Sequence, residues 1–303
     1  MDRKTFLRNS SLAMALLAFD QSSLFAKDLS ILKNQFQFKL LRNDVGIFTE
    51  SGGTIAWLNS PDGFAVVDTQ FPKNAEHVIA ELKKLKDNPF KFLINTHHHG
   101  DHTGGNISFK GLAENVVAHT NSLINQTKAA EKAGKMDEQL LPNITFEKKW
   151  KAKLGKEKIV GKYFGAAHTN GDCVFHFQNA NVAHVGDLVF NKRFPYIDKD
   201  NGANIESWIS VLENVRKYYD NDTLFIFGHS REEGKITGNK NDILAFQNYL
   251  EKLLTYTKSE IAKGKSKEDI LKSTTTIPGA PDWQGDGIER SISAAYQELT
   301  AKM

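Results

Sequence analysis

The sequence predicts an α+β sandwich, with two mixed β-sheets packed face to face, helices on the outside and extra helices toward the C-terminus. Three observations predict it. Short alternating or apolar runs broken by turn residues fill two separate stretches, about residues 35–69 and 145–187. Helical periodicity falls between and after them. Beyond the last apolar run, Leu224-Phe225-Ile226-Phe227, only helical patterns follow. Halves built this way bury their apolar faces by stacking sheet on sheet and laying helices over the outside.

The elements follow in order. Phe36-Phe38-Leu40, Val45-Ile47, Ile55-Trp57 and Phe64-Val66 alternate with period two, and Gly52-Gly53 and Pro61-Asp62-Gly63 punctuate them, which reads as an antiparallel meander. Val78, Leu82 and Leu85 recur at helical spacing after Pro72. Phe92-Leu93-Ile94 is a short buried strand feeding the polar loop Asn95 to Gly105. The second strand-rich half begins near Thr145 and ends at Asp187. Ile205, Trp208, Ile209, Leu212 and Val215 form one helix face. Ile243, Phe246, Leu250, Leu253 and Leu254 form another. Ser266 with Asp269 is a capping box, and a final helix covers Ile288 to Leu299.

Composition narrows the function. Of 303 residues, 40% are hydrophobic and 25% charged, and the net charge is only +3. A field that weak predicts no nucleic-acid partner. The densest basic run, Lys148-Lys149-Trp150-Lys151-Ala152-Lys153, alternates like the wet face of a strand. The lone cysteine, Cys173, lies in an apolar run and reads as a buried, inert thiol.

Residues 1–26 read as an export signal: Arg3, Lys4 and Arg8 precede a short apolar stretch, Ser11 to Phe19, and a cut after Ala26. Arg3-Lys4-Thr5-Phe6-Leu7-Arg8 resembles the twin-arginine export motif, with Lys4 in place of the second arginine. The mature protein is then expected in the periplasm or secreted, with no stable membrane span. The catalytic domain is expected over residues 27–303, its core at about 35–230 and a helical extension at about 240–303.

The chemistry centres on Thr96-His97-His98-His99-Gly100-Asp101-His102, four histidines and an aspartate directly after a buried strand. Imidazole and carboxylate are the ligands zinc takes where thiolates are scarce. In a tight loop His97 and His99 face one side, and Asp101 and His102 turn toward a neighbouring point. One loop then serves two metals about 3.5–4 Å apart, as two-metal hydrolases need. Three later segments end apolar runs with matching ligand types: Ala167-His168-Thr169-Asn170-Gly171-Asp172, Val185-Gly186-Asp187 and Phe227-Gly228-His229-Ser230.

Together these segments resemble the metallo-β-lactamase superfamily over roughly Gln35 to Ser230. Its HxHxDH signature is His97 to His102, its HTxGD-type segment is His168 to Asp172, and Asp187 and His229 complete the set. The resemblance implies an αβ/βα four-layer sandwich with the site at one edge between the sheets. It implies two zinc ions, with iron or manganese as other occupants. His97, His99 and His168 would hold the first, Asp101, His102 and His229 the second, and Asp187 would bridge them. Asp68, in Val66-Val67-Asp68-Thr69, would buttress the metal loop. Phe227-Gly228-His229-Ser230 departs from the family's frequent Pro-Gly-His-Gly.

The implied function is an exported dinuclear zinc hydrolase acting on an ester, lactone, thioester or amide of a small molecule, with Asp101 orienting the nucleophile. A carboxylate at Asp187, where the commonest β-lactamases of the superfamily place a cysteine, points away from β-lactams. β-Lactamase-type amide hydrolysis, an iron-dependent redox reaction and non-catalytic metal binding are the alternatives. Lys192, Arg193 and Tyr196, just after Asp187, are candidates to grip an anionic or polar substrate, and packing of Phe194 and Tyr196 on the sheet is the equal alternative. The remaining histidines, His77, His98, His119, His176 and His184, are expected to pack without a metal.

Overall fold

The computed structural model describes residues 36–301. The expected export signal lies outside the described residues.

The first sheet has seven strands in sequence order, and its pairing switches partway across. Its strands are β1 (Gln37–Arg42), β2 (Val45–Thr49), β3 (Ile55–Ser60), β4 (Gly63–Val67), β5 (Phe90–Ile94), β6 (Val116–His119) and β7 (Ile144–Phe146). β2, β3 and β4 pair antiparallel, whereas β4 through β7 pair parallel. The second sheet contains β8 (Lys149–Leu154), β9 (Glu157–Tyr163), β10 (Cys173–Phe177), β11 (Val182–Asn191), β12 (Leu224–Ser230) and β13 (Thr237–Gly238). It runs in the order β13-β12-β11-β10-β9-β8. It is antiparallel throughout except for β11 and β12, which pair parallel. Both sheets are therefore mixed, as the sequence predicts.

The apolar core lies in layers. Val45, Ala56, Ala65, Val67 and Ile94 of the first sheet form one buried cluster with Ile159, Phe175, Val182 and Ile226 of the second. β4 is buried along its whole length, the mark of a strand covered on both faces. Its Phe64 packs on Phe90, with ring centroids 5.1 Å apart, and Phe90 packs on Phe109 at 5.3 Å. Helix α1 (Pro72–Leu85) buries Val78 and Leu82, but Leu85 is 50% exposed and caps the helix face rather than joining the core.

A second cluster unites β11 and β12 with four helices: α4 (Ile205–Tyr218), α5 (Lys240–Ala262), α6 (Lys267–Ser273) and α7 (Ile288–Thr300). Trp208, Phe246 and Tyr249 are fully buried in it. Each such side chain contributes about 1.5–3 kcal/mol over its exposed state. Ser266 and Asp269 make the expected capping box at α6.

Three features depart from the sequence reading. The two-residue strand β13 follows the last expected strand and pairs antiparallel with β12, too short to show a period in the sequence. β7, near the expected start of the second half, pairs with β6 and completes the first sheet. Helix α3 (Thr120–Ala133), which follows the four-residue helix α2 (Gly100–Thr103), shows no apolar stripe: its buried residues are Ser122, Asn125, Gln126 and Ala130. Its packed face is polar because it braces loops, as described below. Among the described residues no helix is long and apolar enough to cross a membrane.

Candidate metal centre

Topology gathers the site. β4 and β5 run parallel, as do β11 and β12, so the C-terminal ends within each pair lie together. β10 is antiparallel to β11, which brings the turn before it, His168 to Asp172, to the same edge as the end of β11. Backbone bonds join the two sheets there: Cys173 N–H donates to Thr96 O at 2.9 Å, and Thr54 N–H donates to Gly228 O at 2.9 Å.

Four loops thus converge, and polar contacts fix each of them. Asp68 follows β4 and is fully buried. Its Oδ1 accepts from Thr96 N–H at 2.8 Å, and its Oδ2 accepts from Thr96 Oγ1–H and His102 Nδ1–H, both at 2.7 Å. Asp172 accepts from Thr169 N–H at 2.7 Å and Thr169 Oγ1–H at 2.8 Å, which closes the turn carrying His168. Burial pushes the Asp172 carboxyl up to about 7 against those bonds. α3 supports both loops. Gln126 Nε2–H donates to Asn95 at 3.3 Å, and Asn121 and Asn125 donate to Asn170 at 2.8 and 2.9 Å.

Close approach requires glycine at two places. A Cβ on Gly228 would stand 1.9 Å from Asp187 Oδ1, and one on Gly53 would stand 2.1 Å from the His102 ring. Gly53, which the sequence offers only as turn punctuation, is the floor against which His102 lies.

The first donor group comprises His97, His99, His168 and Asp187. Each imidazole has one nitrogen committed elsewhere. His168 Nδ1–H donates to Tyr196 O at 2.7 Å, and His99 Nε2–H donates to Asp198 Oδ2 at 2.9 Å. Thr96 Oγ1–H is spent on Asp68, so at 3.1 Å it accepts from His97 Nδ1–H. The other three nitrogens therefore bear lone pairs, and they face one another. His97 Nε2 and His168 Nε2 lie 3.0 and 2.8 Å from His99 Nδ1. Burial holds His168 at about 3 and His97 well below its ordinary value, so both are neutral, the ligating form. Asp187 Oδ2 lies 3.4 Å from His168 Nε2 and 3.9 Å from His97 Nε2. Three converging lone pairs and a carboxylate have no proton to share, and a cation resolves the repulsion. Three nitrogens and one oxygen suit the tetrahedral preference of zinc.

The second group is Asp101, His102 and His229. His229 Nε2 lies 3.1 Å from Asp101 Oδ2 and 3.4 Å from Asp187 Oδ2, and His102 Nε2 lies 3.1 Å from Asp187 Oδ1. Burial lowers the pKa of both histidines, but the adjacent carboxylates overcome it. Asp187 and Asp101 raise His229 to about 9, and Asp187 and Asp68 hold His102 well above the ordinary imidazole range. Asp187 itself is held well below the ordinary carboxylate range, its burial overcome by His229 and His102. Its Oδ1 is buried and makes no well-aligned hydrogen bond, with the His102 imidazole 3.1 Å away as its polar neighbour, an arrangement that suits a carboxylate shared with an ion. Asp187 touches both donor groups.

The other candidates fall as follows. Asp101 is 32% exposed at its side chain and faces a cavity of about 320 Å³, which Arg193, Tyr196 and Arg290 also line. Lys192 does not line it: its ammonium pairs with Asp282 at 2.6 Å and lies over the Trp283 ring. His98 turns to Asp198, 3.5 Å away, and His184 Nε2–H donates to Thr54 O at 2.8 Å. His119, His176 and His77 contact Glu147 O, Asn181 and Glu50, outside the donor groups. Cys173 is buried and its thiol is pushed up by that burial. The sequence reading misses Asp198, which orients His99, and Arg290. A signal for Asp198 exists: it is the first acidic residue after Asp187 in a segment bound to return past the site.

A family model described as the metallo-beta-lactamase superfamily matches residues 49–229. The chain is 26% identical over 195 residues to metallo-beta-lactamase IND-1 of Chryseobacterium indologenes, covering 62% of this chain and 77% of that protein. It is 27% identical over 176 residues to the metallo-beta-lactamase type 2 of Bacillus cereus, covering 57% of this chain and 64% of that protein. It therefore spans just under two thirds of that relative. Among solved structures, a metallo-beta-lactamase from Pontibacter korlensis matches with a TM-score of 0.60 at 18% identity, over 71% of this chain and 99% of the other. A double mutant of the sec-alkyl sulfatase PisA1 matches with a TM-score of 0.67 at 13% identity, over 86% of this chain and 50% of the other. At those identities the two structures speak for the fold alone.

Proposed function

The chain belongs to the metallo-β-lactamase superfamily, and from that premise we propose that it is an exported dinuclear zinc hydrolase of an ester, lactone, thioester or amide bond in a small molecule. The observation that carries the reading is Asp187, a buried carboxylate in reach of both donor groups. His97, His99 and His168 would hold one zinc, Asp101, His102 and His229 the other, with Asp187 between. When bound, the pair would supply Lewis acidity and lower the pKa of a water to about 7.

The chain's own residues do the rest. Asp68 and Asp198 fix the ring orientation of His102 and His99 by accepting their outer N–H groups. Asp101 opens on the cavity and remains ionised: His229, bonded to it, outweighs its burial and holds it at about 2. It is placed to accept a hydrogen bond from the attacking water and to orient it. Phe190, stacked on His229 with centroids 5.4 Å apart, keeps water from that flank.

Hydrolysis of a β-lactam amide is the second reading, favoured by the names of the relatives. A zinc-loaded panel of aryl ester, lactone, thioester and chromogenic cephalosporin separates the two. The proposal expects kcat/KM to be highest for an ester, lactone or thioester, with all activity lost in Asp101→Ala. The cephalosporin outperforming every other substrate would select the second reading. Export is tested by N-terminal sequencing of protein from its native cell, where a start near Lys27 is expected and an intact Met1 on cytoplasmic protein would reject it.

A further inference from the structure

The segment after Asp187 carries or meets several cations, and most have partners. Lys192 pairs with Asp282, Lys199 Nζ with Glu298 at 2.7 Å, and Arg231 with Gln284. Arg193 and Arg290 differ. Both line the cavity over the candidate metal centre, and among the described residues neither guanidinium has an acidic or hydrogen-bonding partner. Arg290 lies over the Tyr196 ring, 5.7 Å from its centroid, and the other neighbour of that ring is His99, at 5.3 Å. The free guanidinium is thus one aromatic ring away from the first donor group.

The placement is braced. Arg290 sits in the first turn of α7, beyond the stretch matched by the family model. Its neighbour Ser291 donates through Oγ–H to Pro195 O at 3.1 Å. At the far end of α7, Glu298 accepts from Lys199 Nζ and from Ile205 N–H at 2.9 Å. Arg193 is held by its own backbone, which bridges Gln284. The C-terminal segment therefore braces both arginines in the lining of one cavity.

We propose that Arg193 and Arg290 form a clamp for a compact oxyanion, so that the substrate carries a carboxylate, or an isosteric sulfonate or phosphate, about one ring width from the bond that reacts. A guanidinium presents a planar fork of donors that matches such oxyanions. Two of them beside the aromatic Tyr196 select a small, anionic, part-apolar molecule over its neutral analogue. This rests on the hydrolase reading only for where the reacting bond lies, since the clamp itself binds whether or not anything is cleaved.

The test is equilibrium binding to the zinc-loaded protein by calorimetry, with phenylacetate, benzylsulfonate, benzylphosphonate and neutral phenylacetamide as probes. The clamp predicts at least tenfold tighter binding of one or more anions than of phenylacetamide, with the strongest anion naming the preferred oxyanion. It predicts that Arg193→Ala/Arg290→Ala abolishes the preference and that Arg290→Lys retains part of it. Both side chains are exposed and unpaired, so the variants should keep the parent Tm. Equal binding of anion and amide would overturn the proposal. So would a preference that survives in the double alanine variant, because that would place the anion on the metals. If no ester, lactone, thioester or amide is cleaved while the arginine-dependent preference persists, the hydrolase reading fails and the clamp stands.

Discussion

Replacing Asp68 by asparagine probes how the fold controls its second donor group. The side chain is fully buried and accepts three hydrogen bonds, two from Thr96 and one from His102. Its backbone has φ +66°, a conformation asparagine tolerates, so the exchange adds no backbone strain. The amide cannot satisfy the same donors. With its NH2 at the Oδ1 position it meets Thr96 N–H. At the Oδ2 position it meets His102 Nδ1–H, unless His102 moves that proton to Nε2, the atom that must be bare to bind. Losing such an orienting partner costs about 10–100-fold in metal affinity, or about 1.4–2.8 kcal/mol, and a mispaired buried donor costs about 1–3 kcal/mol of stability. Stepwise zinc titration of Asp68→Asn should show the second ion weakened by that factor and the first weakened less, since His99 and His168 keep their own partners on the outer nitrogen and only His97 depends on Asp68, through Thr96. An unchanged second affinity, or equal loss at both sites, would refute the reasoning.

Other expectations follow from the same geometry. Gly228→Ala drives a methyl into Asp187 Oδ1, 1.9 Å from the ideal Cβ, and should abolish tight binding of both ions, seen as loss of zinc on gel filtration of a still-folded protein. Second-ion affinity should rise with pH. The neighbouring carboxylates hold a proton on His229 up to about pH 9 and hold one on His102 as well, and the ion must displace both, so each unit of pH gained below 9 should tighten that site by at least about tenfold. Burial has already stripped the proton from His97 and His168, so the first site should show a much shallower slope. Competition titrations at pH 7, 8 and 9 check this, and a flat second-site profile would count against it.

The strands and the donor residues are legible because their signals are local. Period-two runs and turn glycines mark β1 to β4, a short apolar run marks β5, and each donor stands at the end of an apolar run. What escapes is set by tertiary packing. α3 hides because it buries amides and a hydroxyl to brace the loops at Asn95 and Asn170, so no apolar period forms. β7 is too short, at three residues, to declare which sheet it joins. Lys192 and Arg193 are adjacent and chemically alike in sequence, and only the fold shows that Asp282 holds the first while the second faces the cavity. Arg290 lies 103 positions after Asp187 in the chain, on a helix that nothing local ties to the site.

The central claim is that two converging donor groups sharing Asp187 hold a pair of zinc ions that serve hydrolysis. The measurement that reaches it most directly is elemental analysis of the purified protein during titration of zinc into chelator-stripped material, with ester or lactone hydrolysis followed in the same samples. Two zinc ions per chain at saturation, with activity appearing as the second binds and absent in Asp187→Ala, is the predicted result. Saturation at one ion, iron in the protein as isolated, or full binding and activity in Asp187→Ala would contradict it.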